Sequence, residues 1–366
     1  MKITVQVQLK PSTEQKEMLL ETMRTANAAC DWLSRKVWES GKFRQYDLHM
    51  LAYHACRAAF PMLSAQVVVR AEAKVADAYK LDRERLRKFR PLGAIAYDCR
   101  ILSWKADSVS IWTVNGRQKI GFVCGERQKA LLKYERGEAE LAYRNGKFYL
   151  LVSVGIPDVE EGKAEGWLGI DLGVNCIAVD SDGVVYDEPK IEKVRQRRAA
   201  HRKRLGKAAG AKRRRGKRPR SIRRAIQRHK GKESRFKRDV NHCISKRIVE
   251  KAKDTGRGIG LEKLTGIRQR TEELLRRQQR SRHSSWAYAQ LQQFVEYKAK
   301  LRGVPIVAVD PRNTSRRCSV CGHCEKANRQ SQAEFHCRAC GHTAHADHNA
   351  ARNIARSATV NRHKVS

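Results

Sequence analysis

Two short cysteine pairs restrict this chain more tightly than any other feature. Cys318-Ser-Val-Cys321 and Cys337-Arg-Ala-Cys340 are separated by 15 residues, and a glycine follows each pair. A CxxC turn aims two thiolates at one ion, and two such knuckles complete a tetrahedral four-sulfur site. The spacing predicts a zinc ribbon over 313–342, with Cys318, Cys321, Cys337 and Cys340 as ligands. Four thiolates close the coordination shell, so the zinc is expected to be structural rather than to bind a substrate. Cys324, His323, His336 and His342 are near enough in sequence to be alternative ligands.

Charge points to the partner. Lys and Arg number 77 against 38 Asp and Glu, a formal net charge of +39. Self-repulsion on that scale calls for a polyanion, and nucleic acid is the expected one. The longest apolar stretches, such as FYLLVSVGI, are far below the roughly 20 residues that span a bilayer. MKITVQVQLK at the start alternates apolar and polar residues as a half-buried strand does and lacks the apolar run of a signal peptide. A cytoplasmic protein is expected, and its 11 cysteines then read as thiols and metal ligands rather than disulfides.

At 366 residues there is room for two or three domains. After the first strand, Ser12 with Gln15 three residues later forms a capping-box signature. Helical spacing runs from there to about Gly41, then over 46–60 and 63–81, ending on a basic run from Arg83 to Arg90. Over 94–156 the pattern changes to short alternating strands with turn signals at Asn115-Gly116 and Asn145-Gly146. This reads as a small β-barrel. The first strand has no local partner, so it is expected to join the barrel, with the helices inserted between. Residues 157–166 read as a linker. Beyond it, 193–238 holds 23 Lys or Arg and one acid, Glu233. Its ends look helical, whereas the glycines and proline of 207–219 predict a loose middle. Val240, Ile244 and Ile248 recur at four-residue spacing, as on a helix with one face in a core.

Three carboxylates stand in apolar settings. Asp171 interrupts GWLGIDLGVNCIAVDSDG where a buried strand would otherwise carry Val or Ile. Glu262 ends the apolar GIGLE, and Asp347 opens an Ala-rich helix directly after the second knuckle. Singly, each could be a turn or capping residue. Together, on separate segments of a strongly basic chain, they are what two Mg2+ ions need to activate water and stabilise a leaving oxygen at a phosphodiester. The IDLG strand, the following CIAVD strand and a turn at Asp182-Gly183 also suit the opening hairpin of an RNase H-like sheet.

The order GIDLGVN, LEKL, TSRRCSVCG, CRACG and ADHNAARNI, with QLQQFVEYKAKLRGVPIVAVDP ahead of the ribbon and PSTEQ after the first strand, resembles the TnpB family. These are RNA-guided nucleases encoded by insertion sequences and related to the type V CRISPR effectors. The resemblance implies a multidomain α/β and α+β architecture. A RuvC-like nuclease domain would span 161–312 and 343–366, with a basic helical segment at 193–250 and the zinc ribbon inserted at 313–342. A wedge β-barrel at 1–10 and 91–160 would carry a helical recognition domain at 11–90. It further implies a guide RNA transcribed from the element, a double-stranded target DNA with a short adjacent motif, and Asp171, Glu262 and Asp347 as catalytic ligands of two Mg2+. The expected activity is RNA-guided DNA cleavage. A guide-directed binder without cleavage and an unguided transposon nuclease are the alternatives.

Overall fold

The computed structural model describes residues 1–173, 176–263, 288–331 and 333–362. Val174 and Asn175 of GIDLGVN and Leu264 of LEKL lie outside the described residues, as do the rest of 264–287 and 363–366 at the end of the assigned nuclease segment. The chain divides into two compact units, Met1–Pro157 and Asp158–Ser366.

The first unit is built on a seven-stranded antiparallel sheet. β1 (Lys2–Lys10) buries Val5, Val7 and Leu9 on one face. β2 (Ile95–Tyr97), β3 (Leu102–Trp104), β4 (Ser108–Thr113), β5 (Gly116–Val123), β6 (Glu135–Arg144) and β7 (Lys147–Gly155) complete the order β2-β6-β7-β1-β5-β4-β3. β1 is central, pairing β7 on one side and β5 on the other, as its lack of a local partner required. Asn145 and Gly146 both have positive φ and close the β6–β7 hairpin, where side-chain-bearing residues other than Asn and Asp are disfavoured. Where a small β-barrel was expected, the seven strands form one sheet, and no ladder joins its edge strands β2 and β3 among the described residues. Tyr97 on β2 instead donates its hydroxyl to the Trp112 carbonyl on β4 at 3.0 Å.

Between β1 and β2 lie α1 (Thr13–Ser40), α2 (Gln45–Ala59) and α3 (Ala65–Leu81). Ser12 and Gln15 exchange side-chain and backbone hydrogen bonds in a complete capping box, and Gly41 ends α1 in the left-handed conformation. A short helix, α4 (Glu126–Leu131), interrupts the strands without a sequence signal that anticipated it. The basic run after α3 is tied down by Ser34 Oγ, which donates to the Arg87 carbonyl at 2.7 Å.

The second unit is a sheet covered on both faces. β8 (Trp167–Asp171), β9 (Ala178–Asp180), β10 (Val185–Tyr186), β11 (Gly258–Glu262) and β12 (Ile306–Val309) run in the order β10-β9-β8-β11-β12. The β8–β9–β10 meander is antiparallel; β8, β11 and β12 are parallel. Between β10 and β11 come α5 (Lys190–Arg214), α6 (Arg220–His229) and α7 (Lys232–Asp254), and α8 (Tyr288–Arg302) precedes β12. Ile244 and Ile248 of α7 and Leu291 and Val295 of α8 share a core with Leu168, Ile170, Ile259 and Leu261. β13 (Glu334–His336) and β14 (Thr343–His345) form the ribbon hairpin, and α9 (Ala346–Arg362) follows. Ile354 and Ala358 of α9 meet Trp167 and Val309.

The loose middle expected over 207–219 is shorter than its composition suggests. α5 continues through Gly206 and Gly210 to Arg214, with both glycines in open space. Ala and Arg on either side are good helix formers and outweigh the roughly 1 kcal/mol that each glycine costs.

Candidate active site and metal centre

Three separate elements deliver the three carboxylates to one end of the second sheet. Ile170 pairs with Leu261 in the parallel β8–β11 ladder, so Asp171 and Glu262 are the next residues at the carboxyl ends of adjacent strands. Asp347 arrives on the first turn of α9. Two glycines let that helix lie against the strands. A Cβ on Gly169 would come within 2.1 Å of the Ala351 carbonyl oxygen, and one on Gly260 within 3.0 Å of Ala358 Cβ. Any larger residue at Gly169 would lift α9 and carry Asp347 away.

The electrostatics separate these acids from an ordinary buried one. Asp180, fully buried on β9, accepts from the Asp182 and Val184 amides, the Tyr186 hydroxyl and Lys251 Nζ, the last at 2.6 Å. Its charge is compensated within the fold. Asp171 is pushed up to about 8, first by burial and then by the charges of Glu262 and Asp347, against weaker opposition from Arg329 and the Leu172 amide. Burial also raises Glu262, opposed by a hydrogen bond from Thr314 and reinforced by Asp310. Asp347 is raised by burial and opposed by His345 and Arg329. Carboxylates are hard oxygen donors of the kind divalent cations take, but among the described residues the three do not form a close-packed ligand cluster as the four cysteines do.

Residues not singled out from the sequence hold this arrangement. Thr314 Oγ1 donates to Glu262 Oε1 at 2.6 Å. Asn353 Nδ2 donates to the Thr314 carbonyl at 2.8 Å and the Arg317 carbonyl at 2.6 Å. One turn earlier on α9, Asn349 receives the Ser319 amide and donates to the same Arg317 carbonyl. Arg329 Nη2 lies 3.6 Å from Asp347 Oδ1, and His345 Nδ1 accepts the Asp347 amide. The i, i+4 spacing of Asn349 and Asn353 was a visible signal of one helix face. Thr314 and Arg329 gave none, because their partners are remote in sequence.

Cys318, Cys321, Cys337 and Cys340 come together with their sulfurs all within 4.8 Å of one another, and the cluster can hold a zinc ion. The two knuckles share one geometry. The Cys318 amide donates to the His323 carbonyl and that of Cys337 to the His342 carbonyl; Gly322 and Gly341 return amides to Cys318 and Cys337. Both glycines have positive φ, which explains their place after each pair. Burial raises the Cys337 thiol, but the Cys340 and Ala339 amides and the neighbouring thiols lower it on balance, whereas Cys340, lowered by the His342 amide, is raised on balance by its neighbouring thiols. Cys324, His323, His336 and His342 do not join the cluster among the described residues. The carbonyls of His323 and His342 serve the knuckle turns, and the His323 ring faces Glu325 at 3.2 Å.

Among the described residues no helix is long and apolar enough to cross a membrane.

The family model Cas12f1-like, TNB domain, matches residues 288–354, which run from α8 through the cysteine cluster into α9. The CRISPR-associated endodeoxyribonuclease Cas12f1 of Sulfoacidibacillus thermotolerans is 37% identical over 222 residues, 58% of this chain and 50% of that protein. The TnpB-like protein of Methanocaldococcus jannaschii is 30% identical over 148 residues, 39% of this chain and 51% of that protein. The chain thus spans about half the length of these curated relatives. The cryo-EM structure of a Cas12f1–sgRNA–target DNA complex aligns with a TM-score of 0.63 at 16% identity, over 94% of this chain and 83% of that one, which shows a shared multidomain α/β fold. In motif order, in the TNB-domain match and in these relatives, the chain is similar to Cas12f1 and TnpB-like proteins.

Proposed function

We propose that the chain is an RNA-guided DNA endonuclease whose second unit is a RuvC-like domain. The observation that carries this reading is the placement of Asp171 and Glu262 at the carboxyl ends of adjacent parallel strands and of Asp347 at the start of α9, where the charges of Glu262 and Asp347 add to the burial that raises Asp171. The strand order, an antiparallel meander extended by two parallel strands, supports the RNase H-like assignment. The curated Cas12f1 relative is named an endodeoxyribonuclease, and the matching cryo-EM structure is a complex with sgRNA and target DNA.

The three carboxylates would hold two Mg2+. Bound there, the ions supply Lewis-acid stabilisation and a water activated at neutral pH. The protein's own groups do the rest. Thr314 fixes one Glu262 oxygen and so leaves the other directed by the strand end. Arg329 brings a cation beside Asp347, where a scissile phosphate would meet it. The cysteine cluster would bind zinc structurally, holding 313–342 so that Thr314 and Arg329 keep these positions. The cationic helices α5–α7 would grip a guide–target heteroduplex by its phosphates, leaving sequence to base pairing. The first unit would take the wedge and recognition roles, reading the short motif beside the target in duplex DNA.

The test is to purify the chain with its native locus transcribed, sequence the bound RNA, and assay Mg2+-dependent cleavage of a duplex matched to it. Cleavage should require the match and be lost on mismatch near the adjacent motif. Cleavage indifferent to the RNA would favour an unguided nuclease, and RNA-dependent binding without cleavage a guided binder.

A further inference from the structure

A cavity of about 420 Å³ lies among α5, α6 and α7, lined by Arg198, His201, Leu205, Ile226, His229 and Lys237 among others. Inside it the rings of His201 and His229 meet, centroids 4.4 Å apart and tilted by 56°. Arg198 Nη1 is 3.0 Å from His229 Nδ1, and Arg204 Nη2 is 3.3 Å from His201 Nδ1. A guanidinium only donates, so both Nδ1 atoms accept and each neutral ring carries its proton on Nε2. Burial, and after it His201, Lys232 and Arg198, hold His229 below its ordinary range, in keeping with a neutral ring. The resulting Nε2–H of His201 is buried and has no partner among the described residues.

The interior therefore offers two uncharged ring faces, the alkyl walls of Leu205 and Ile226, and one unanswered donor. Arg198, Arg202, Lys230 and Lys237 also line it; Arg202 and the buried Lys237 share Glu233, another lining residue, so the four cations exceed the one acid by three charges. A metal ion is a poor occupant, because both Nδ1 atoms already face guanidinium groups. A lone phosphate would leave most of the volume and all of the apolar wall unused. A flat base with ring-nitrogen or carbonyl acceptors, flanked by phosphates, matches volume, walls and charge together.

We propose that this cavity takes one unstacked nucleobase of a single-stranded RNA, which stacks on one of the His201 and His229 rings and meets the other at its edge, while its flanking phosphates meet Arg198, Arg202 and Lys230. The identity of that RNA as the guide rests on the function proposed above. The cavity adds to it a base-sized contact in a segment whose charge alone would touch only phosphates.

The test uses the full chain purified with RNA from its own locus. Ultraviolet crosslinking and peptide mass spectrometry should place a ribonucleotide adduct on a peptide carrying His201 or His229. Ile226→Trp, at a position 40% exposed on α6 and so tolerant of a larger side chain, should fill the cavity, remove that adduct and weaken RNA retention on the order of tenfold. Ile226→Val should keep both. RNA-bound, cleavage-competent protein with no adduct at these peptides, or an adduct unchanged in Ile226→Trp, would overturn the cavity assignment while leaving the nuclease reading intact. A deoxyribonucleotide adduct in the presence of target duplex would transfer the cavity to DNA and overturn it as an RNA site. If no RNA copurifies, the guided reading fails first; binding of a mixed-sequence 12-residue oligoribonucleotide then decides, and equal affinity for parent and Ile226→Trp would overturn the cavity as well.

Discussion

Thr314, at the start of the ribbon segment, donates its hydroxyl to Glu262 at the end of β11 across 2.6 Å, and Asn353 on α9 holds the Thr314 carbonyl. One hydrogen-bonded path thus links the cysteine-bearing segment, the second acidic strand and the helix that carries Asp347.

Thr314→Val keeps the side-chain shape and removes this donor. The bond opposes the upward push of burial on Glu262, so its loss should move Glu262 higher still and shift the acid limb of a cleavage pH profile to higher pH. We expect cleavage at neutral pH to fall on the order of tenfold to a hundredfold, as when about 1–3 kcal/mol of a buried hydrogen bond is lost. An unchanged profile would remove Thr314 from the site.

Asp171→Asn should abolish cleavage, by on the order of a thousandfold or more, and spare nucleic-acid binding. It should also alter stability without added Mg2+. The folded carboxyl titrates near 8, well above its ordinary value, so between about pH 4 and 8 the folded state holds a proton that the unfolded chain has released. Stability of the parent should accordingly fall as pH rises through that window. Thermal melts should show this slope reduced in Asp171→Asn, and Mg2+ should raise the parent's melting temperature more at pH 8 than at pH 6.

Cys337→Ser removes one sulfur of the cluster. If zinc holds the ribbon, metal analysis of the parent should find one zinc per chain, and the variant should lose it together with cleavage, since structural sites of this kind draw roughly 10–16 kcal/mol from the ion. A zinc-free, fully active parent would contradict the structural role.

Gly169→Ala should be costly despite its size. Its Cβ would meet the Ala351 carbonyl oxygen at 2.1 Å, backbone against backbone. We expect a destabilisation of about 1–3 kcal/mol or more, with cleavage reduced beyond what the loss of folded protein explains as α9 moves Asp347 outward. Ala substitution at Gly206, which meets nothing within 4 Å, should by contrast be neutral or stabilising by melting temperature.

The local grammar of this chain was legible from residue order alone. Ser12 and Gln15 announce the start of α1, Asn145-Gly146 announces a hairpin, and the CxxC-Gly repeats announce two equal knuckles, because each device closes hydrogen bonds or ligand geometry over two to four residues. Asp171, Glu262 and Asp347 stood out for the same reason: each is a charge in an apolar neighbourhood. Their meeting was not legible, since it depends on the parallel register of Ile170 with Leu261 and on the space that Gly169 leaves for α9. The supporting side chains were hidden for a related cause. Thr314 and Arg329 look like ordinary turn and surface residues until the fold sets them against Glu262 and Asp347. Propensity also misjudged α5, which runs through two glycines, and composition did not say whether the first sheet would close; among the described residues no ladder joins β2 to β3. Local pattern is set by interactions a few bonds apart and can be read along the chain. Register, close approach and the sharing of one carboxylate by distant donors are decided by packing, and exist only once the elements have met.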